Sequence, residues 1–344
     1  MKFAPQSAWL TDGPDTDVVM SCRVRLARNV AGFPFVNRAS NAQRHEMLKV
    51  ARQAILSAEL SHDIIWVDLH QATPRDRQLL MERHLISKPL ADADFPRGVA
   101  VWADETLSIM VNEEDHLRMQ ALAPGMQLEE TFRRINTVDD AIEKNLDYAY
   151  SPRWGYVTAC PTNLGTGIRI SVMMHLPGLR LSDEIKRVRN AARDLHLAVR
   201  GYYGEGSDSA GDFYQISNQV TLGRGEEEIL NEFHSRILPQ IIDYERQARQ
   251  VLLRRRSTLL DDRIYRALGT LRAARLLGTE EAMKLLSRVR LGVYMNRLDG
   301  VEARTVNQLF LQIQPAHLQP AAGPAFSAEE LREVRATLIR EALR

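Results

Sequence analysis

Long apolar runs are missing from this 344-residue chain. No stretch approaches the ~18 consecutive apolar residues of a membrane-spanning helix, so none is expected. Cysteine is scarce: Cys22 and Cys160 are the only two. That excludes a disulfide framework and points to a reducing cytoplasm. The opening MKFAPQSAWLTDGPD has no charged n-region followed by an apolar stretch, so no signal peptide is expected. Internal repeats and low-complexity tracts are absent, which leaves no sign of a solenoid. Lysine is rare as well. Of 45 basic residues six are Lys, leaving 39 Arg, and the plain reading is a GC-rich genome. Hydrophobic residues at 44% and charged residues at 26% are ordinary for a soluble globular chain that buries a sizeable core. The length suggests two domains.

The net charge of +1 conceals an asymmetry: residues 246–344 carry 18 Lys+Arg against 10 Asp+Glu, a balance of +8. Such a segment suits an acidic, phosphorylated or nucleic-acid partner. The first 245 residues mix two periodicities. Residues 41–60 read as a helix, and 63–69, 98–103, 107–111, 155–160, 168–174 and 214–220 read as strands. Two longer helices are expected, one opening after Thr137 and one capped by Ser182 and stopped by Gly201. Strand clusters separated by whole helices predict an α+β domain with an antiparallel sheet over 1–245. From about 226 the pattern is a long helix, with a kink expected at Pro239, then amphipathic helices, the last with Ser327 and Glu330 in capping-box spacing. These predict an all-helical second domain over 250–344.

Four segments carry chemistry. In SCRVRLARN (21–29) Arg23 and Arg25 alternate and Arg28 follows. Guanidinium forks match phosphate oxygens, although a solvated basic face has the same pattern. In VNEEDHLRMQ (111–120) Glu113, Glu114 and Asp115 end an apolar strand beside Arg118. They suit Mg²⁺ binding, base catalysis, cation binding or an ordinary polar turn. ACPTNLGTGIRISV (159–172) is rich in Gly and Thr but lacks the Gly-Lys-Ser/Thr ending of a P-loop. Cys160 stands at its entrance and Arg169 just beyond it; a lone Cys is more often a structural thiol. RGYYGEGSDSAGD (200–212) holds four glycines, with Arg200 at its hinge and Glu205 near its middle. That composition suits a loop closing over substrate.

Together, S-x-R-V-R, NEEDHLR, CPTNLGTG-x-R and RG-x-x-GE resemble the catalytic domain of the ATP:guanido phosphotransferase (phosphagen kinase) family over about residues 15–245. Members of the creatine and arginine type carry roughly a hundred helical residues before the first of these segments; about twenty stand there in this sequence. The added helical domain is similar to that of the bacterial protein arginine kinases in this family. SCRVRLARNVAGFPF, ERHLIS (82–87), GDFYQISNQVTLG, DRIYRALGTLRAARLL and RATLIRE (335–341) extend that likeness over nearly the whole chain.

The resemblance implies transfer of the ATP γ-phosphate to arginine side chains of proteins, with ATP and Mg²⁺ and no resident metal site. It implies Glu114 as catalytic base, Glu205 as second carboxylate and Cys160 against the substrate guanidinium. Arg23, Arg25, Arg118, Arg169 and Arg200 form the phosphate cage, and His84 contacts nucleotide. The nucleotide-binding segments are then Ser21, Cys22, Arg23, Val24 and Arg25; Arg169, Ile170, Ser171, Val172 and Met173; and Arg200, Gly201, Tyr202, Tyr203, Gly204 and Glu205. A C-terminal R-D-x-x-R-A motif binds phosphoarginine in these relatives. The match here is LREVRA, giving Arg332, Arg335 and Ala336, with Leu331 and Arg332 standing where Arg and Asp are expected. Stress response and protein quality control, substrates with exposed arginine, an activator protein, a Clp-type protease or chaperone, and a homo-oligomer are further expectations. The alternatives are a kinase of a free guanidino metabolite and a nucleic-acid-binding or adaptor protein acting through Arg254–Arg256 and the basic helices.

Overall fold

The strand carrying SCRVRLAR sets the architecture. In a computed structural model, which describes residues 6–61, 63–202, 210–321 and 324–344, β1 (Val19–Arg28) lies near the middle of an eight-stranded sheet. Its other strands are β2 (Ile64–Asp68), β3 (Gly98–Trp102), β4 (Leu107–Val111), β5 (Leu117–Pro124), β8 (Ile168–His175), β9 (Leu197–Arg200) and β10 (Phe213–Asn218). Their order is β2-β3-β4-β5-β1-β8-β10-β9 and every pairing is antiparallel. β6 (Tyr150–Ser151) and β7 (Gly155–Tyr156) form a separate short hairpin.

Alternation divides the sheet into two faces. One face, bearing Cys22, Val24, Leu26, Ile170 and Val172, packs against α1 (Asn41–Ser57), α4 (Leu128–Glu143), α6 (Ile185–Asp194), α7 (Glu226–Glu232) and the start of α8 (Leu238–Ala273). The opposite face is covered at its β2–β3 edge by α2 (Pro74–Glu82) and α3 (Lys88–Asp92). Elsewhere on it, Met20, Leu122 and Phe213 join a core shared with the second half of α8, α9 (Thr279–Tyr294), α10 (Ala303–Gln312) and α12 (Ala328–Ala342). Two short helices, α5 (Pro177–Leu181) and α11 (Pro315–Leu318), dock on α8 and α2 respectively. Between these two coverings part of the face stays open, and the cleft forms there.

The C-terminal helices are therefore welded to the sheet. Arg290, fully buried, donates to the carbonyls of Asp17 (3.0 Å) and Thr16, to Asn307 Oδ1 (2.8 Å) and to His175 Nδ1 (2.8 Å). His175 Nε2 meets Ser287 Oγ at 2.9 Å, and Ser287 donates to Asp212 Oδ2 at 3.1 Å. Burial and Arg290 hold His175 well below its ordinary pKa, so its neutral ring accepts from Arg290 and donates to Ser287.

Several expected boundaries shift. The helix expected after Thr137 begins at Leu128, because β5 ends in a turn through Gly125 (φ +61°) and the amphipathic face starts immediately. Thr137 Oγ1 bonds the Arg133 carbonyl inside that helix. The helix expected to run to Gly201 stops at Asp194; His196 takes φ +53° and Leu197–Arg200 becomes β9. Pairing with β10 and burial of Leu197 outweigh its helical pattern. Pro239 causes no kink in α8. It lies in the first turn, after a π-helical turn over Phe233–Ile237, where a missing N–H costs nothing. The break in α8 falls at Arg256 (φ −144°). The capping box of Ser327 and Glu330 forms as expected.

Candidate active site

Strand register assembles the cage. Ser21, Arg23 and Arg25 project from the open face of β1, with Arg23 opposite Ser171 and Arg25 opposite Arg169 on β8. β5 contributes Arg118, and β9 contributes Arg200 opposite Gln215 of β10. Arg118, Arg169 and Arg200 line a cleft of about 830 Å³ together with Glu113, Glu114 and Cys160. An adjoining cleft of about 360 Å³ takes in Arg23, Arg25 and His84. Five guanidinium groups so placed repel one another. Burial, then Arg118, Arg169 and Arg200, pull Arg23 down to about 9. Burial and the same crowding push Arg25 down strongly. A guanidinium does not surrender its proton in a protein, so these depressions amount to a demand for an anion. Arg25 Nε and Nη2 are buried and find no acceptor among the described residues. A triphosphate, with oxygens matched to Arg forks, fits that demand.

The three acids of the Asn112–Asp115 turn separate into distinct roles. Glu113 accepts from Ser87 Oγ (2.6 Å), from Arg118 Nη1 (2.6 Å) and from the Glu114 N–H (2.9 Å). Burial opposes its charge, but Arg118 and these hydrogen bonds hold its carboxyl below the ordinary range. Asp115 is buried and accepts from Asn29 Nδ2 (2.6 Å) and the Ala159 N–H (2.7 Å), which ties this turn to the Cys160 loop. Glu114 is the most exposed of the three and lines the cleft without a salt-bridge partner of its own among the described residues. Partial desolvation and then the neighbouring Glu113 raise its pKa, while Cys160 hydrogen-bonds to it. Asn163 Nδ2 stands 3.4 Å from Glu114 Oε2, and Cys160 Sγ 3.1 Å from Thr162 Oγ1. A carboxylate with a raised pKa beside a thiol, facing a cage for anions, is equipped to take a proton as a nitrogen attacks phosphorus. Among the described residues no group of three or more His, Cys, Asp or Glu is arranged to hold a metal.

At the far end of the cage the lining turns aromatic. His84 takes φ +59°, and burial followed by Arg23 lowers it to about 3, so its ring is neutral. Trp9 and Tyr202 meet it edge-on at 5.2 and 5.4 Å between centroids. Ser21, Arg23, Ser171 and Met173 close this recess, a space of about 30 Å³. The recess has room for about one or two water molecules, and it adjoins the cationic cage through Arg23, His84 and Tyr202.

The structure brings together Ser21, Arg23, Arg25, His84, Glu114, Arg118, Cys160, Arg169, Ser171, Met173, Arg200 and Tyr202, with Gly201 buried beside them. It moves others away. Cys22, Val24, Ile170 and Val172 point into the core under the helices, since alternate residues of a strand face opposite sides. Arg28 is a staple: it pairs with Asp139 at 2.6 Å, donates to the Thr166 carbonyl at 2.8 Å and lies 3.5 Å from the centre of the Tyr156 ring. Arg335 is buried and donates to the carbonyls of Ile313 (2.8 Å), Leu277 (2.9 Å) and Leu331 (3.3 Å), Ala336 is fully buried, and Arg332 is exposed. The expected phosphoarginine-binding group is therefore split between core and solvent. Tyr203, Gly204 and Glu205 lie outside the described residues. Sequence reasoning missed Trp9, Ser87 and Gln215, each delivered by a separate element; it weighed Glu113 without giving it a role.

Comparison with known proteins agrees with this geometry. Residues 46–248 match the family model described as ATP:guanido phosphotransferase, C-terminal catalytic domain, and residues 257–344 match the protein-arginine kinase McsB C-terminal domain. The junction between the two matches contains the break at Arg256. Protein-arginine kinase of Pelotomaculum thermopropionicum is 46% identical over 97% of this chain and 95% of its own length. That of Bacillus pumilus is 41% identical over 98% and 93%. Among solved structures, the duplicated taurocyamine kinase of Schistosoma mansoni, determined with transition-state analogue components, superposes with a TM-score of 0.62 at 29% identity. The match covers 72% of this chain and about a third (35%) of that one. Lombricine kinase superposes at 0.59 and 29% identity, covering 72% of this chain and 71% of its own.

Proposed function

The chain belongs to the ATP:guanido phosphotransferase family, and from that premise we propose that it transfers the γ-phosphate of ATP to arginine side chains of proteins. The observation that carries this reading is one cleft in which Glu114 and Cys160 face Arg118, Arg169 and Arg200. The relatives' name, protein-arginine kinase, and the matched C-terminal domain favour a protein substrate over a free guanidino metabolite.

The reacting nitrogen belongs to a cation with a pKa above about 12, so it is a poor nucleophile until its proton is taken. Glu114 clasps one edge of the substrate guanidinium and removes that proton as the N–P bond forms. Its raised pKa makes it a better base than an ordinary carboxylate. Cys160 Sγ lies against the same group. Glu205 is assigned to the second edge by family resemblance. Arg23, Arg25, Arg118, Arg169 and Arg200 hold the phosphate oxygens and stabilise the charge that develops on them, the largest part of catalysis here. Glu113 and Ser87 fix Arg118, and Asp115 fixes the spacing of Glu114 and Cys160. ATP, held by these arginines, would supply the phosphoryl group, and Mg²⁺ would supply further neutralisation of phosphate charge.

Incubation with ATP-Mg²⁺, a bulk protein and free arginine tests the reading. Acid-labile phosphate on protein arginine is expected. Label on free arginine alone would overturn the protein substrate, and no label at all would overturn the kinase. By the same resemblance we place the activity in the cytoplasm, in stress response and protein quality control, with an activator protein, a Clp-type protease or chaperone and a homo-oligomeric assembly. Among the described residues no helix is long and apolar enough to cross a membrane.

A further inference from the structure

The cleft that holds Glu114 and Cys160 has a charged floor and an uncharged rim. Apart from the acids and arginines already described, no residue lining it carries a charge. Pro89, Ala93 and Phe95 make one wall, and Val220 stands on the other. Strand order explains this placement. In the run β3-β4-β5-β1-β8-β10 the acid turn joins β4 to β5, and the Cys160 loop leads into β8. Phe95 precedes β3 and Val220 follows β10. With every pairing antiparallel, both fall at the same end of the sheet as the acid turn and flank it.

Both walls are braced, and each is tied to the groups it flanks. Ser87 Oγ, which donates to Glu113 (2.6 Å), also caps α3 by accepting from the Leu90 N–H (3.2 Å). Arg97 donates to the carbonyls of Leu90 (2.6 Å), Ala91 (3.2 Å) and Phe95 (3.0 Å). The Arg44 guanidinium lies 4.5 Å from the centre of the Phe95 ring. Across the cleft, buried Thr221 shares its hydroxyl proton between the carbonyls of Thr162 (3.0 Å) and Leu164 (2.8 Å). Asn163, between those two, stands 3.4 Å from Glu114. Val220 is nevertheless 45% exposed beside Thr221. An aliphatic side chain held in water on a braced segment gains nothing from the fold. Where it joins other apolar groups around a catalytic cleft, it marks a recognition surface. Bracing of this kind lowers the ordering cost of binding.

The occupant follows from continuity with the floor. A target arginine reaches Glu114 and Cys160 through its side chain, so its own backbone runs across the mouth of the cleft. In an extended segment the two adjacent side chains point away from the enzyme. Those two positions off, ~7 Å along the chain, point the same way as the arginine. We infer that Val220 on one side, and Pro89, Ala93 and Phe95 on the other, form subsites for apolar side chains two positions before and after the target arginine. The kinase then selects arginines in extended segments by these neighbours. The inference rests on the reading that this chain phosphorylates protein arginine.

The test uses the full chain and single-arginine peptides of Gly and Ser. Leu, Gly or Asp is placed either two positions from the arginine on both sides or at the two adjacent positions. Each peptide is scored with ATP-Mg²⁺ as a substrate and as a competitor of protein labelling, so slow turnover does not hide binding. Leu at the outer positions is expected to raise kcat/KM about three- to tenfold over Gly, the effect of half-burying a Leu side chain. It should strengthen competition by the same factor, and Asp there should fall below Gly. Leu at the adjacent positions should behave as Gly does. Val220→Ser is expected to cut the Leu-over-Gly ratio by about twofold or more. If Val220→Ser does not fold, the peptide series on the wild type decides. Equal kcat/KM and equal competition for the Leu, Gly and Asp peptides overturn the inference and leave the kinase reading standing. So does a preference confined to the adjacent positions, or a Leu preference unchanged in folded Val220→Ser. Absence of label on protein and on every peptide overturns the kinase reading itself, and the subsites with it.

Discussion

Two sets of buried arginine coexist in this chain, and what answers their charge differs. Arg97, Arg290 and Arg335 are buried among main-chain carbonyls that accept their N–H groups: Leu90, Ala91 and Phe95 for Arg97; Thr16 and Asp17 for Arg290; Leu277, Ile313 and Leu331 for Arg335. They close loops and dock helices. Arg23 and Arg25 face Arg118, Arg169 and Arg200, and Glu113 serves Arg118. The first set is complete in the folded chain, whereas the second is complete only with a polyanion. The partner, rather than the residue type or the region of the chain, separates the two uses.

The sharpest test of that contrast is the carboxylate that stays available beside the cage. Glu114→Gln keeps the shape of the site but cannot take a proton. Turnover should fall by about two to four orders of magnitude, with the melting temperature preserved. Steady-state assay and calorimetry on the same preparation decide it; near-wild-type turnover would return Glu114 to an ordinary polar turn.

Arg25→Met should cost about a hundred- to a thousandfold in turnover, the loss of one charge-stabilising donor. The melting temperature should hold or rise, because the substitution removes a source of repulsion. A marked fall in melting temperature would place Arg25 in the structural set.

Arg335→Ala should show the reverse pattern. Carbonyls of Leu277, Ile313 and Leu331 lose their donor, and stability should drop by about 2–4 kcal/mol in urea unfolding. Turnover per folded molecule should stay within about twofold. Unchanged stability with weakened binding of a phosphoarginine peptide would move Arg335 to the ligand-seeking set.

The smallest effect concerns pH. Burial and neighbouring arginines hold His84 at about 3 and His175 far below its ordinary value. The unfolded chain titrates these rings near ~6.5. Below that pH the unfolded state binds more protons than the folded one, so stability is complete above about 6.5 and is lost as pH falls from there. The slope should approach ~1.4 kcal/mol per pH unit for each histidine. Urea midpoints at three pH values, from above 6.5 to a unit below it, check this; a flat profile would mean that both rings are solvated.

Much of the site was legible in the sequence because its parts are local. The alternation of Arg23 and Arg25 places both on one face of any strand, and NEED and CPTNLGT are short strings in loops. The acids were legible as a group, but their division was not. Glu113 differs from Glu114 only because Ser87 and Arg118 reach it, and Asp115 only because Asn29 and Ala159 do. Cys22, Val24, Ile170 and Val172 belong to contiguous nucleotide-binding segments in the sequence, but two of the five residues in each segment face the core. The LREVRA string reads as one group, but the last helix turns Arg335 and Ala336 inward and leaves Arg332 exposed.

Composition, alternation and helical period alone determined an α+β chain with an antiparallel sheet, a helical C-terminal region, and Arg23 and Arg25 on one strand face; the phosphate cage was implied only by the family resemblance. These properties depend on residues within a few positions of one another, where strand and helix geometry fix direction. The tertiary structure decided that Leu197–Arg200 is a strand, that Trp9 belongs to the cleft, that the C-terminal helices share a core with the sheet, and which arginines are satisfied. Each of those depends on a partner far along the chain: Gln215 for Arg200, His84 for Trp9, Thr16 and Asp17 for Arg290. A guanidinium has the same charge and donors wherever it stands, and only packing settles whether a carbonyl, a carboxylate or a ligand answers it.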